Sequence, residues 1–334
     1  MKAMTMPDLF KRLDVLPRHP YPFLWADYVE LLCLCSKNGL VSRGNLQAQV
    51  QEAQDVQLDA DIDGDGDEIA GPNDESTVLD DKVSAHWDDI VSRLNAREAS
   101  YPGWPFQLEG AVLRSVYDER RADHRLYVAL LIASSLRLCV ATRSNEVTSA
   151  FEEISYQWLS RSLPQFWKVR PFGAHAALPD AYVGNLREKF ELLAADINAK
   201  LQMDADEYDP ANTGDGGLDL VAWQEVGDQR GNIPVIFGQC ACSPTDWEHK
   251  QLDVTPAATE AHIAPQHPGA AYCFVPHDLS RGDGKWQRAV HRKRVVIVDR
   301  LRLLHLFNAS NACGTLTNWS FVADAMSTEY EAAV

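Results

Sequence analysis

Gly214-Asp215-Gly216-Gly217-Leu218-Asp219-Leu220-Val221-Ala222-Trp223, followed by Ile233-Pro234-Val235-Ile236-Phe237-Gly238-Gln239, is the most informative stretch of this 334-residue chain. It predicts a glycine turn that delivers Asp219 onto a short strand, then a second strand that ends in Gln239. Period-two alternation on the second strand places Val235, Phe237, Gln239 and Ala241 on one face. An acidic residue and a Gln on adjacent strands can share one divalent cation, and such a pair is the beginning of a phosphodiester-cleaving site.

Outward from this stretch the pattern is that of an α/β core. Upstream, Thr148 predicts a helix N-cap, with Phe151, Ile154, Trp158 and Leu159 as its apolar face. Residues 166–173 predict a strand and 185–201 a second helix. Downstream, Ser243-Pro244-Thr245-Asp246 reads as a helix start that puts Lys250 about two turns into that helix. Residues 271–276 then predict a buried strand, 285–294 a basic helix and 295–299 a β-branched strand. The order implies a mixed sheet with helices on both faces. Residues 1–146 read as mainly helical (25–36, 86–97 and 123–138), with an acidic, disordered insert at about 55–82. Residues 311–334 read as a C-terminal tail.

The formal net charge of −17 argues at first sight against a nucleic-acid partner. The charge is segregated, however. Residues 55–81 hold eleven acidic side chains and no basic one, whereas 281–302 hold eight basic against two acidic. A polyanionic substrate therefore stays open. Asp59-Ala60-Asp61-Ile62-Asp63-Gly64 opens like an EF-hand loop, but Ala70 stands where the bidentate Glu belongs, so a flexible acidic loop is expected there instead. Seven cysteines without paired ligand spacing predict neither a zinc site nor a disulfide framework, and a reducing, cytoplasmic compartment is expected. The longest apolar run, 126–136, is too short to cross a bilayer, and no membrane association is expected. Trp247 and Trp286 read as packing residues, His249 and His277 as surface histidines.

Taken together, Phe151-Glu152 on a first helix, the strand 166–172, Asp215-Gly216-Gly217-Leu218-Asp219 and Gln239 on the next strand resemble the PD-(D/E)XK restriction-endonuclease-like superfamily, in its Mrr-like branch. Cys273-Phe274-Val275-Pro276 and residues 295–303 resemble the strands that close such a core around a basic helix. The resemblance covers residues 147–310, about half the chain. Two departures stand out. The Lys common two residues after the Gln is replaced by Ala241, which leaves Lys250 to reach back from the following helix. A helix is also inserted between Gly173 and Asp215, so that Phe190-Glu191 repeats the Phe-Glu pair. Glu152 is the preferred helix acid, because a strand follows it directly; Glu191 is the alternative.

The resemblance implies Mg²⁺- or Mn²⁺-dependent hydrolysis of DNA phosphodiester bonds. Asp219, Gln239 and the backbone carbonyl of Cys240 would hold the metal, Glu152 would help through water, and Lys250 would assist the nucleophile. Lys285, Arg288, Arg292, Lys293 and Arg294 would contact DNA. It also implies a role in bacterial defence against foreign DNA, beside other defence-system proteins, and double-strand cutting would favour a homodimer. Two other readings stand: RNA cleavage at the same site, and a nuclease-like fold that has lost its chemistry and serves as a nucleic-acid-binding or scaffolding subunit of a defence system.

Overall fold

The computed structural model describes residues 9–11, 13, 16–17, 21–49, 72–173, 178–203, 211–228, 230–281, 285–286 and 294–329, with side chains in the segment 72–85 left aside. Along the chain these form α1 (Pro22–Cys35), β1 (Leu40–Ser42), α2 (Pro72–Ser100), β2 (Phe106–Glu109), β3 (Val112–Ser115), α3 (Ala122–Ser134), α4 (Ala141–Ser162) and β4 (Trp167–Pro171). There follow α5 (Leu186–Asp196), β5 (Lys200–Leu201), β6 (Leu220–Gln224), β7 (Val235–Cys240), α6 (Trp247–Lys250) and α7 (Pro256–Thr259). The order closes with β8 (Ile263–Ala264), β9 (Ala270–Phe274), β10 (Val296–Val298), α8 (Arg300–Ala309) and α9 (Ser320–Ser327). No helix among the described residues is long and apolar enough to cross a membrane.

Two compact units divide the chain between Val147 and Thr148, inside α4. The first takes Met1–Val147 together with Leu279–Trp286 and Cys313–Val334. Its centre is α1, which is buried along almost its whole length because its sequence is apolar on nearly every side. Two acids on that helix, Asp27 and Glu30, are buried with it and share an ion pair with the one guanidinium of Arg97 of α2. The unit is mainly helical, and beside its helices β1, β3 and β2 form a small three-stranded antiparallel sheet. The tail expected at 311–334 contains α9, which packs on α1 and α3 in this unit. The acidic insert expected at 55–82 also needs correcting, because 72–82 belong to α2. Pro72 opens that helix at a position where no backbone donor is needed. The EF-hand-like stretch lies outside the described residues.

The second unit, Thr148–Asp278 with Gln287–Ala312, is mixed α/β. Its five-stranded sheet runs β10-β9-β7-β6-β4; β10, β9 and β7 are parallel, while β6 and β4 are antiparallel to their neighbours. Central β7 is buried at every position, as expected of a largely apolar strand covered on both faces; Gln239 is its one polar side chain. On one face Val235 and Phe237 join the core formed with Phe190 and Leu193 of α5. On the other, Trp158 of α4 meets Phe274 of β9 edge to face at 5.7 Å. Helices therefore flank the sheet on both sides.

Several boundaries differ from expectation. The helix expected to start at Thr148 begins at Ala141, so Thr148 lies inside α4. The helix expected to run from Ser243 is the single turn α6, preceded by turns at 244–246. The strand expected at 295–299 is found at Val296–Val298; the Asp299 side chain accepts from the Arg302 amide at 3.2 Å and caps α8, so 300–303 of the stretch that resembled a closing strand are helical. Of the expected basic helix, only Lys285, Trp286 and Arg294 are described, and none of them is helical.

Candidate active site

Asp219 comes into place through a turn whose positive φ angles favour glycine. Gly216 and Gly217 have φ of +61° and +83°, a region other residues adopt at a cost. The Asp215 carboxylate accepts from the Gly217 amide at 2.9 Å and tightens the turn. The Asp219 amide then bonds Gly238 O at 2.9 Å and anchors the turn to β7. A methyl group at Gly217 would stand 2.7 Å from Cβ of Asp253, on top of the φ strain. Gly217→Ala is accordingly expected to cost about 1–3 kcal/mol, read as a lowered midpoint in urea unfolding. An unchanged midpoint would show that the turn tolerates another backbone conformation.

Asp219 and Gln239 are 6% and 5% exposed, unusual burial for a carboxylate and a carboxamide. The Cys240 peptide joins them. Its N–H donates to Asp219 Oδ2 at 2.6 Å, and its carbonyl accepts from Gln239 Nε2 at 3.1 Å. That carbonyl keeps one lone pair for a further partner. Gln239 Oε1 is buried with no hydrogen-bond partner, so an oxygen acceptor is left waiting beside Asp219.

Glu152 of α4 completes the group. A Cβ on Gly173, just after β4, would lie 3.0 Å from Asp219 Oδ1 and 3.6 Å from Glu152 Oε2. Both carboxylates therefore look into a space that exists because residue 173 has no side chain. Burial pushes the Glu152 carboxyl well above its ordinary range, and the charges of Asp219 and Asp215 add to the effect while Lys250 opposes it. Asp219 is likewise raised by burial; its bond from the Cys240 amide and the charge of Lys250 oppose the shift, and Asp215 and Asp253 reinforce it. The folded protein thus keeps protons on these two groups that the unfolded chain has already given up. Stability of the metal-free protein should fall as pH rises from about 4, the ordinary carboxylate value, toward neutral. Glu152→Gln should flatten that slope in thermal melts taken across the range. An equally steep slope in the variant would place the titration elsewhere.

Lys250 ends the one-turn helix α6 and is exposed, yet its charge acts on Glu152, Asp219 and Asp253 together. Sequence reasoning missed Asp253. It lies one turn beyond Lys250 against the glycine turn, and no local signal marks it. Glu191, the alternative helix acid, is exposed and paired with Arg187 at 2.8 Å; none of its contacts is to the residues of this site. His277 is fully buried and not a surface histidine, while His249 is exposed and Trp247 is packed inside. Of the expected DNA-contacting residues, Lys285 and Arg294 are exposed, and Arg288, Arg292 and Lys293 lie outside the described residues. Arg300, counted with the basic stretch, is instead buried and donates to Pro276 O at 2.8 Å.

Among the described residues no group of three or more His, Cys, Asp or Glu side chains is arranged to hold a metal. The set here is mixed: two carboxylates, one carboxamide oxygen and one carbonyl. All are hard oxygen donors of the type Mg²⁺ accepts. Burial raises the thiols of Cys240, Cys242 and Cys273 well above their ordinary range, and the nearby charge of Asp219, joined by Glu152 at Cys240 and Cys242, adds to the effect. The fold and site define a mixed α/β unit with a buried Asp219 and a half-buried Glu152 near an unsatisfied amide oxygen. No family model, no curated protein and no solved structure matches the chain.

Proposed function

We propose that the second unit is a Mg²⁺- or Mn²⁺-dependent endonuclease acting on DNA. One observation carries the reading: Glu152 Oε2 and Asp219 Oδ1 both border the open space at Gly173, while the unpartnered Gln239 Oε1 is buried on the adjoining strand. Two raised carboxyls and an orphaned acceptor are costly in a metal-free core, and one divalent cation relieves all three. The strand order, with an antiparallel β4-β6-β7 run and a parallel β9, supports the resemblance to the PD-(D/E)XK superfamily. A place in defence against foreign DNA, beside other defence proteins, rests on that resemblance alone.

Asp219, Gln239 and the Cys240 carbonyl would hold the cation, which when bound supplies Lewis acidity toward the scissile phosphate. The remaining work falls to the chain. With the cation's positive charge beside it, Glu152 would be ionised, and its carboxylate, made more basic by burial, could accept a proton from an attacking water. The Lys250 ammonium offsets the charge that builds on the phosphate. Burial around Asp219 keeps the local dielectric low and strengthens each of these interactions.

Supercoiled plasmid incubated with the protein and Mg²⁺ or Mn²⁺ should be cut, and EDTA should stop the reaction. Lys250→Ala should slow cutting at least ~100-fold. Full activity in that variant would remove the lysine from the mechanism. The exposure of Lys250 on a single-turn helix favours a second reading, a nuclease-like scaffold without chemistry. Wild type that binds DNA but never cuts it, with either metal, would select that reading.

A further inference from the structure

The helix inserted between β4 and β6 has a use. Leu186, the first residue of α5, donates its amide to Asn212 O at 2.8 Å. Lys189, one turn on, is 4% exposed and donates its ammonium to Thr213 O and Gly214 O, each at 3.1 Å. Three consecutive carbonyls, at 212, 213 and 214, are thus held by one turn of one helix. The same helix supports the glycines that follow, since a Cβ on Gly216 would meet Phe190 Cε2 at 3.1 Å and Leu186 Cδ1 at 3.3 Å.

A lysine this buried is uncommon, because desolvating an ammonium is costly unless it is hydrogen-bonded. Burial lowers the Lys189 pKa, and the charge of Asp215 pulls it back up. Two carbonyls and a nearby carboxylate are the compensation. All three belong to the segment that turns into Asp219. A Leu or Met at this position would fill the core as well, but would leave the segment without its anchor.

We propose that Lys189 is a positioning residue: it clamps the 212–217 turn in the form that sets Asp219 against Cys240. The inference rests on the nuclease reading only for its consequence, metal affinity, and not for the clamp itself. Lys189→Met keeps the apolar stem and removes the donors. Lys189→Arg keeps donors that can reach both carbonyls.

Amide hydrogen exchange in the metal-free protein tests the clamp directly. In Lys189→Met the amides of Gly217, Leu218 and Asp219 should exchange at least tenfold faster, with Val221 and Ala222 of β6 unchanged. Lys189→Arg should restore most of the protection. The half-saturating Mn²⁺ concentration should rise about tenfold in the Met variant and return toward wild type in the Arg variant, with little change in cutting rate at saturating metal. Exchange at the turn equal to wild type in Lys189→Met overturns the proposal, as does uniform acceleration across the unit, which would mean a general loss of stability. Wild type that binds no divalent cation defeats the nuclease reading, while the exchange pattern still decides the clamp.

Discussion

Asp219→Asn is expected to lower DNA cleavage on the order of 10³-fold, since a metal ligand contributes several kcal/mol and each ~1.4 kcal/mol is a factor of ten. The same substitution should raise the melting temperature of the metal-free protein. The two effects share one cause. Asp219 is nearly inaccessible, its carboxylate accepts a hydrogen bond from the Cys240 amide, and it feels the like charges of Asp215 and Asp253. An asparagine has the same shape and can still accept from Cys240, but places no charge in the core. Function and stability therefore pull in opposite directions here, as at many reactive sites. Thermal melts in EDTA beside plasmid cleavage in Mg²⁺ read both. Should the melting temperature fall instead, Asp219 is a structural turn residue that stabilises the fold as an anion, and the site assignment loses its centre.

Arg97→Met should destabilise the first unit by about 3–5 kcal/mol, the usual cost of leaving buried charge uncompensated. Arg97 is 1% exposed, with one guanidinium nitrogen 2.7 Å from Asp27 Oδ1 and another 2.8 Å from Glu30 Oε2. Both acids have further neutral partners. Trp104 Nε1 donates to Glu30 at 2.9 Å, Tyr127 Oη at 2.7 Å, and Ser134 Oγ donates to Asp27 at 2.8 Å. Those bonds soften the loss without supplying positive charge. The triple variant Asp27→Asn, Glu30→Gln, Arg97→Met should recover much of the stability, because the charge is then removed as a set. Urea unfolding followed by tryptophan fluorescence measures both variants. A loss below about 1 kcal/mol in the single variant would mean that water reaches the network and replaces the guanidinium.

Much of the second unit's fold could be read without coordinates. β6 and β7 appear where their apolar runs are bounded by turn residues, at Leu220–Gln224 and Val235–Cys240. α5 begins directly after Asn185, whose capping box with Glu188 is a strictly local device. Elsewhere the local signal misled. The β-branched run at 295–299 gives a strand only at Val296–Val298, because Asp299 leaves it to cap α8. Ser243-Pro244 promised a helix, yet one turn forms, three residues later. Low hydrophobicity and dense acid residues suggested disorder where α2 begins, because composition reports the burial a segment can offer by itself and not what its later turns gain by packing.

By itself, the sequence determined the glycine turn, the strand pair behind it, and the presence of Asp219 and Gln239 at their adjoining ends. These follow from constraints a few residues long: positive φ, alternation and side-chain type. The strand that follows Glu152 favoured it over Glu191 in the sequence, and the tertiary structure decides where each acid sits. Phe151-Glu152 and Phe190-Glu191 are the same dipeptide, and both phenylalanines are fully buried. Yet only α4 carries its acid to Gly173, while α5 turns its own toward Arg187. The structure alone also brought Lys189 to carbonyls more than twenty residues away and set Asp253 against Gly217. Convergence of side chains depends on how whole helices pack, a sum of many non-local contacts that no short stretch of sequence contains.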